Sequence, residues 1–248
     1  MKKIALILAG GRGSRAGSRC PKQMVELLGR RMLDYSIRAF KEYDPEMEII
    51  VVIGRDMICE YADYAREMEL PWHFSMCPGG ATRIESSING LRLCTLKATK
   101  AKLRFDDCVV AIHDAARPLI DVSTIGRVFD SVAKGRGVVP CVPAVNSLRR
   151  LEGECADGFG ASVSVRRSDY VEVQTPQAFV LSDLAKAYNR IIDHPEEMDA
   201  MTDDASVAEA AGVGITLVDG DPYNMKVTYP MDFRIAATIL RSRGDVME

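Results

Sequence analysis

Short apolar runs recur along this chain with helix-length stretches between them, and that alternation restricts the fold more than any other feature. Residues 4–8, 49–53, 108–112, 138–142 and 214–218 read as strands, and residues near 32–42, 56–68, 82–96, 122–134, 181–193, 203–211 and 230–241 read as helices. Parallel strands need a crossover of about a dozen residues or more, usually a helix, and the helices then cover both faces of the sheet. The spacing therefore predicts an α/β fold, a Rossmann-like, mostly parallel sheet with helices on both faces. A length of 248 residues suits one domain over 1–248 with a sizeable core. Residues 97–107 form a charged surface connector, and we find no internal repeat.

The pattern breaks between residues 144 and 174. Two short β-like pieces, 147–151 and 161–165, flank a turn-rich stretch at 152–160, which is a hairpin signal. Such a projection has little core of its own. It reads either as a surface insertion or as an arm that packs against a second subunit.

The first apolar run leads directly into Leu8-Ala-Gly-Gly-Arg-Gly-Ser-Arg15-Ala-Gly-Ser-Arg-Cys-Pro21-Lys22-Gln23. In an open α/β sheet, ligands bind outside the carboxyl ends of the strands. Gly10, Gly11 and Gly13 leave backbone amides uncovered, and such amides can cradle a phosphate. Arg12, Arg15, Arg19 and Lys22 add four cations within eleven residues. A tight turn carrying solvated basic residues is the plain alternative. A dinucleotide fingerprint fits poorly, because Gly17, Ser18 and Pro21 spoil the helix start and Asp56 lies too far on for the acidic partner. The Gly-Lys-Ser/Thr of a Walker loop is absent. The stretch is phosphate-directed without being either of the two commonest phosphate loops.

Composition excludes other classes. The net charge of −3 gives no global case for nucleic acid. No apolar run approaches the ~18 residues of a membrane span, and the apolar start is too short for a signal peptide and runs into a glycine loop. The seven cysteines are scattered without a Cys-x-x-Cys, and the three histidines lie far apart, so a zinc site is not expected. Reduced thiols in a cytoplasmic protein are the expectation.

Three further clusters carry candidate chemistry. In Pro78-Gly79-Gly80-Ala-Thr82-Arg83-Ile-Glu85-Ser86, Thr82 and Glu85 form a capping box. The glycine pair would let a flat base approach the backbone, with the Ser86 hydroxyl at its polar edge, while Arg83 reads as structural. His113-Asp114-Ala115-Ala116-Arg117-Pro118 ends a buried strand in an acid and, three residues later, a base. A carboxylate there can hold Mg²⁺, which takes one or two carboxylates plus phosphate oxygens; it can equally cap a helix or pair with Arg117. His113 reads as a packed histidine. Gln174-Thr175-Pro176-Gln177 and Thr202-Asp203-Asp204-Ala205-Ser206 read as polar turns ahead of helices. Lys226 stands in a loop before the last helix, where a lysine is usually solvated.

Leu-Ala-Gly-Gly-x-Gly-x-Arg followed by Pro-Lys-Gln resembles the sugar-phosphate nucleotidyltransferases. The spacing from Arg15 to Lys22, with His113–Pro118, Gln174–Gln177 and Thr202–Ser206, resembles the 2-C-methyl-D-erythritol 4-phosphate cytidylyltransferase family in particular. The motifs span nearly the whole chain in one order. That resemblance implies CTP and a polyol phosphate as substrates, a divalent cation such as Mg²⁺ at Asp114, and a homodimer clasped through the β-arm. It implies catalytic roles for Arg15, Lys22 and Lys226, and CTP binding by Ala9, Gly10, Gly11, Gly13, Gly79, Gly80, Ser86 and Ala115. It places the acceptor at Arg117, Ser147, Arg167 and Thr175, with the arm residues reaching a neighbouring subunit. Arg166 and Arg167 would point to opposite faces of a strand, and the resemblance selects Arg167.

The chain departs from the family at Ala16, Asn146-Ser147 and Met225, where Met, Asp-Thr and Ile are common. Tyr223 and residues 229–232 lean towards the related ribitol-5-phosphate cytidylyltransferases. Outside these families stand two rivals, an NAD-dependent oxidoreductase and a nucleotide-sensing module without turnover.

Overall fold

A computed structural model describes residues 1–10, 24–153 and 160–244. The elements, in chain order, are β1 (Lys2–Ala9), β2 (Glu26–Leu27), β3 (Arg30–Arg31), α1 (Met32–Tyr43), β4 (Glu48–Ile53), α2 (Ile58–Glu67), β5 (Ser75–Pro78), α3 (Arg83–Lys100), β6 (Cys108–Asp114), α4 (Val122–Asp130), β7 (Arg136–Pro143), β8 (Arg149–Leu151), β9 (Ser162–Ser164), β10 (Val171–Val173), β11 (Gln177–Val180), α5 (Leu181–Asp193), α6 (Asp204–Ala210), β12 (Gly214–Asp219) and α7 (Pro230–Arg243). The main sheet runs β10-β7-β11-β6-β1-β4-β5, with β12 also paired to β7. Strand β1 is parallel to β4 and β6, β4 to β5, and β12 to β7.

The apolar runs are nearly unbroken because both faces of the sheet are covered. Leu6, Ile50 and Val52 pack with Ile88 of α3 and Leu184 of α5. Ile7 and Val51 face the other way, against Leu33, Ile37 and Phe40 of α1 and Ile125 of α4. Helix α3 lies very close to the sheet at Gly90, where a Cβ would come within 2.4 Å of Leu6 Cδ1 and 2.8 Å of Val52 Cγ2. Helix α7 packs through Ala236 and Leu240 onto Met32, Tyr35, Ala116 and Leu119. This packing carries the loop at Lys226 to the end of β6, where the Val227 amide donates to the Ala116 carbonyl at 2.8 Å.

Three expectations change. Residues 177–180 are not a turn: Gln177–Val180 is a fully buried strand, antiparallel to both β6 and β7. It is four residues long and buried on both faces, so it shows no period by which to recognise it. Strand β5 also went unread, because Ser75-Met-Cys-Pro is short, half-buried and poor in β-formers. The hairpin exists as β8 antiparallel to β9, in a two-stranded sheet of its own. However, Val171–Val173, at the end of the expected arm, pairs with β7 in the main sheet. Arg167 opens a 3₁₀ turn, Arg167–Asp169, so strand alternation does not separate it from Arg166. Among the described residues no helix is long and apolar enough to cross a membrane.

Candidate active site

The carboxyl ends of β1, β4, β5 and β6 meet at one edge of the sheet. Gly10 follows β1 and Gly79 follows β5, and the two backbones touch: a Cβ on Gly10 would lie 3.4 Å from Gly79 Cα, and a Cβ on either would lie 3.2 Å from Ser86 Oγ. The loop that opens α3 holds its own amides. Gly79 N–H donates to the Ile53 carbonyl at 2.8 Å, Gly80 N–H to Ser86 Oγ at 3.1 Å, and Ala81 N–H to Glu85 at 2.6 Å. The Thr82 hydroxyl caps α3 by accepting from Glu85 N–H at 3.1 Å. The expected capping box is therefore half formed, since the Glu85 carboxylate reaches Ala81 rather than Thr82.

Ser86 donates to the Thr82 carbonyl at 2.9 Å. Its proton and one lone pair are engaged inside the loop, so the hydroxyl shapes the loop. Among the described residues the carbonyls of Gly79 and Gly80 accept no hydrogen bond, so both remain unpaired acceptors. The Ala115 amide donates to the Leu8 carbonyl at 3.0 Å and its side chain is buried.

Asp114 is the centre of the charge arrangement. Lys226 Nζ lies 2.6 Å from its Oδ2 and Arg83 Nε lies 3.2 Å from its Oδ1. Arg83 also reaches Asp204 through Nη2 at 2.6 Å. Asp204 is wholly buried and accepts from Ser87 at 2.9 Å and Tyr188 at 2.5 Å. Burial alone would raise the Asp114 pKa; Arg83 and Lys226 overcome it and hold the carboxyl well below the usual range. Burial likewise works against the charged Arg83, and the two aspartates outweigh it, raising its pKa. Asp114 is thus an ionised group held between two cations, neither a helix cap nor a side-chain partner of Arg117.

Asp114 also fits a divalent cation as a single carboxylate ligand. Each of its oxygens takes one described donor and keeps a second lone pair, and a nucleotide's phosphate oxygens would complete the shell. Among the described residues, the one group of three His, Cys or carboxylate side chains close enough to share an ion is His194, Glu196 and Glu197. It stands at the end of α5, and Glu197 there is engaged by Arg190.

Thr175 sits against the same aspartate. Its hydroxyl accepts from the Asp114 amide at 3.1 Å and lies 3.0 Å from His113 Nδ1. Thr175 is buried, so its first task is internal, holding β11 to β6. His113 is also buried, edge-on to Phe40, with Nε2 3.2 Å from the Arg117 carbonyl. Burial pushes its pKa down to about 4, so the ring is neutral at pH 7. The Arg117 guanidinium donates to the carbonyls of Asn224 at 2.7 Å and Val173 at 3.4 Å.

The structure thus brings Ala9, Gly10, Gly79, Gly80, Ser86, Asp114, Ala115, Arg117, Thr175 and Lys226 to one edge of the sheet. Ser147 and Arg167 lie apart on the arm, where Arg167 donates to the Val145 carbonyl at 2.5 Å. Gly11, Gly13, Arg15 and Lys22 fall outside the described residues, as does the turn of the hairpin at 154–159. Sequence reasoning missed Asp204 and Asn224. Asp203 is the helix cap that the sequence announced, accepting from Ser206 N–H at 2.9 Å; the second aspartate of the pair turns inward to Arg83. The signal was the doubled acid, since one aspartate is enough for a cap. Asn224 is buried and donates to the Thr175 carbonyl at 3.0 Å.

The profile of the family described as IspD, 2-C-methyl-D-erythritol 4-phosphate cytidylyltransferase, matches residues 3–242. The chain belongs to this family. The Bacteroides thetaiotaomicron enzyme of that name is 34% identical over 244 residues, covering 97% of this chain and 100% of the relative. That of Rubrobacter xylanophilus is 37% identical over 242 residues, covering 97% and 95%. The crystal structure of 2-C-methyl-D-erythritol 4-phosphate cytidylyltransferase from Thermus thermophilus superimposes with a TM-score of 0.72 at 26% identity, covering 97% of this chain and all of that one. Membership in the cytidylyltransferases gives the convergence at Asp114 its context: a cluster of fixed charges at the carboxyl edge of the sheet, beside the glycine loop that opens α3.

Proposed function

We infer that this chain transfers a cytidylyl group from CTP to 2-C-methyl-D-erythritol 4-phosphate, giving CDP-methylerythritol and pyrophosphate, a step of isoprenoid biosynthesis. The observation that carries the reading is the family match over residues 3–242. The site supports it independently. Cytosine carries an exocyclic amine, and the Gly79 and Gly80 carbonyls suit a donor of that kind. A site built to hydrogen-bond a particular group rejects analogues lacking it by large factors. Beside the close-packed Gly10 and Gly79 a purine is expected to fit less well than a pyrimidine.

The acceptor phosphate is already anionic near neutral pH, so no strong general base is needed. The task is to bring polyanions together and to stabilise charge on the departing pyrophosphate. Lys226, held by Asp114, presents a positive charge at the site. Arg15 and Lys22 are proposed for the triphosphate, with the amides of Gly11 and Gly13. Asp114 is proposed to hold Mg²⁺, which when bound would neutralise phosphate charge. Arg117 and Thr175 border the acceptor's place. The reaction is expected in the cytoplasm.

The arm supports a homodimer. A two-stranded hairpin is marginal alone, and Val145, Leu151, Tyr170 and Val173 stand exposed on it or at its root. A second copy would cover them and bring Ser147 and Arg167 to the neighbouring acceptor. The test is pyrophosphate release from CTP, UTP, ATP and GTP against methylerythritol 4-phosphate and ribitol 5-phosphate. CTP with methylerythritol phosphate should be strongly preferred. Equal turnover with ATP refutes the reading; CTP binding without pyrophosphate release leaves a sensing module; faster turnover with ribitol phosphate reassigns the acceptor.

A further inference from the structure

Arg83 offers one edge of its guanidinium, Nε and Nη2, to two different carboxylates. Nε meets Asp114 and Nη2 meets Asp204. That edge fits a single carboxylate in bidentate fashion, the commonest strong geometry for this pair, so the split needs a cause. Asp204 supplies it. It is wholly buried, ties down Nη2 at 2.6 Å, and is itself fixed by Ser87 from α3 and Tyr188 from α5. Arg83 Nη1 is buried without a partner among the described residues, so the two acids, not full satisfaction of its donors, set the orientation. The four charges balance, with Arg83 and Lys226 against Asp114 and Asp204.

We propose that Asp204 is a positioning residue of the reaction. By holding Nη2 of Arg83 it keeps the guanidinium from closing on Asp114, and so leaves the Asp114 carboxylate available to the divalent cation and the nucleotide. Asp204 touches neither substrate; it acts through Arg83. Without its charge, Arg83 has Asp114 as its remaining acid and forks onto it, competing with the cation for the same lone pairs. This rests on the assignment of a divalent cation to Asp114.

The experiment compares the full-length parent, Asp204→Asn, and the double variant Arg83→Lys/Asp204→Asn. Two readouts are taken: the half-saturating Mg²⁺ concentration for pyrophosphate release, and retention of Mn²⁺ in the presence of CTP, followed by electron paramagnetic resonance of the free ion. Asp204→Asn should raise the Mg²⁺ requirement and weaken Mn²⁺ retention, each by about 10-fold, a typical loss for a residue behind a metal ligand. The double variant should recover both, because a lysine cannot fork. Ser87→Ala/Tyr188→Phe removes two donors to Asp204 while keeping its charge, and should lower Tm with the Mg²⁺ requirement unchanged. Should Asp204→Asn not fold, Asp204→Glu displaces the carboxylate by one methylene and should also raise the requirement, by less than the ~10-fold expected on losing the charge. A parent that needs a divalent ion, with an Asp204 variant matching it in both readouts, overturns the proposal. A parent with no divalent requirement overturns the cation assignment at Asp114 and this proposal with it.

Discussion

Lys226 Nζ and Asp114 Oδ2 lie 2.6 Å apart, although 112 residues of chain separate them. The lysine comes from the loop before α7 and the aspartate from the end of β6, so the contact records how the last helix closes the site. Lys226 is 44% exposed on its side chain and Asp114 12%, so water screens the pair in part. Arg83 still compensates Asp114 once the lysine is removed, so its removal should cost little stability. The proposed role of the lysine's charge is to meet the reacting phosphates. Lys226→Ala should lower kcat by about 10²-fold with Tm nearly unchanged. Steady-state kinetics and a thermal melt decide this, and a near-parental kcat would return the lysine to an ordinary surface role.

His113 gives the fold a dependence on acid. Its folded pKa is about 4, against an ordinary 6.5. As pH falls below 6.5 the unfolded chain takes up the proton first, so the stability present above that value is lost progressively down to about 4. By linkage the loss is on the order of 3 kcal/mol. Asp114, held below its usual range, loses its contribution in the same direction but at lower pH. The fall in Tm between pH 7 and pH 4.5 should be smaller in His113→Gln than in the parent. Equal slopes would mean that the imidazole titrates normally.

Gly90 tests the packing of α3. An added methyl would meet Leu6 and Val52 well inside contact distance, and neither central strand has room to withdraw. Gly90→Ala should destabilise by about 1–3 kcal/mol despite its better helix propensity. Denaturant unfolding measures this, and a stabilised variant would show that α3 can lift from the sheet.

The arm is tested by complementation. Lys22→Ala and Arg167→Ala should each be inactive as homodimers. Mixed, they give heterodimers in which one site receives both intact residues, so activity should partly return. No recovery after confirmed subunit exchange, or full activity as a dilute monomer, would remove the shared site and leave the nucleotide reading intact.

The sequence made the parallel part of the sheet legible because β1, β4, β6, β7 and β12 are apolar runs separated by helix-length segments. It hid β11, which joins β6 to β7 yet is only four residues long and begins with Gln177, a polar residue that is buried because it holds Asp203 and the Ala205 amide. The site was legible where a residue type has few uses, as with Asp114 at a strand end. It was less legible where groups turn inward. Ser86, Thr175 and Ala115 are at the site, but their hydrogen bonds run to the protein. At Asp204 the doubled acid was legible but its partner was not, because Arg83 lies 121 residues away and no local pattern links the two.

Strand β11 also constrains the order in which the chain can be completed. Strands β6 and β7 are not neighbours; each pairs with β11 between them. A chain emerging from its N-terminus can assemble β1, β4, β5 and β6 early, yet β7 has nowhere to dock until residues 177–180 have been made. Until then β6 presents an unpaired edge at the middle of the future sheet. A fragment ending near residue 170 would hold most of the site's residues, yet β7 would lack β10, β11 and β12, all three of its partners, and β6 would keep an open edge, the form of this protein most exposed to aggregation.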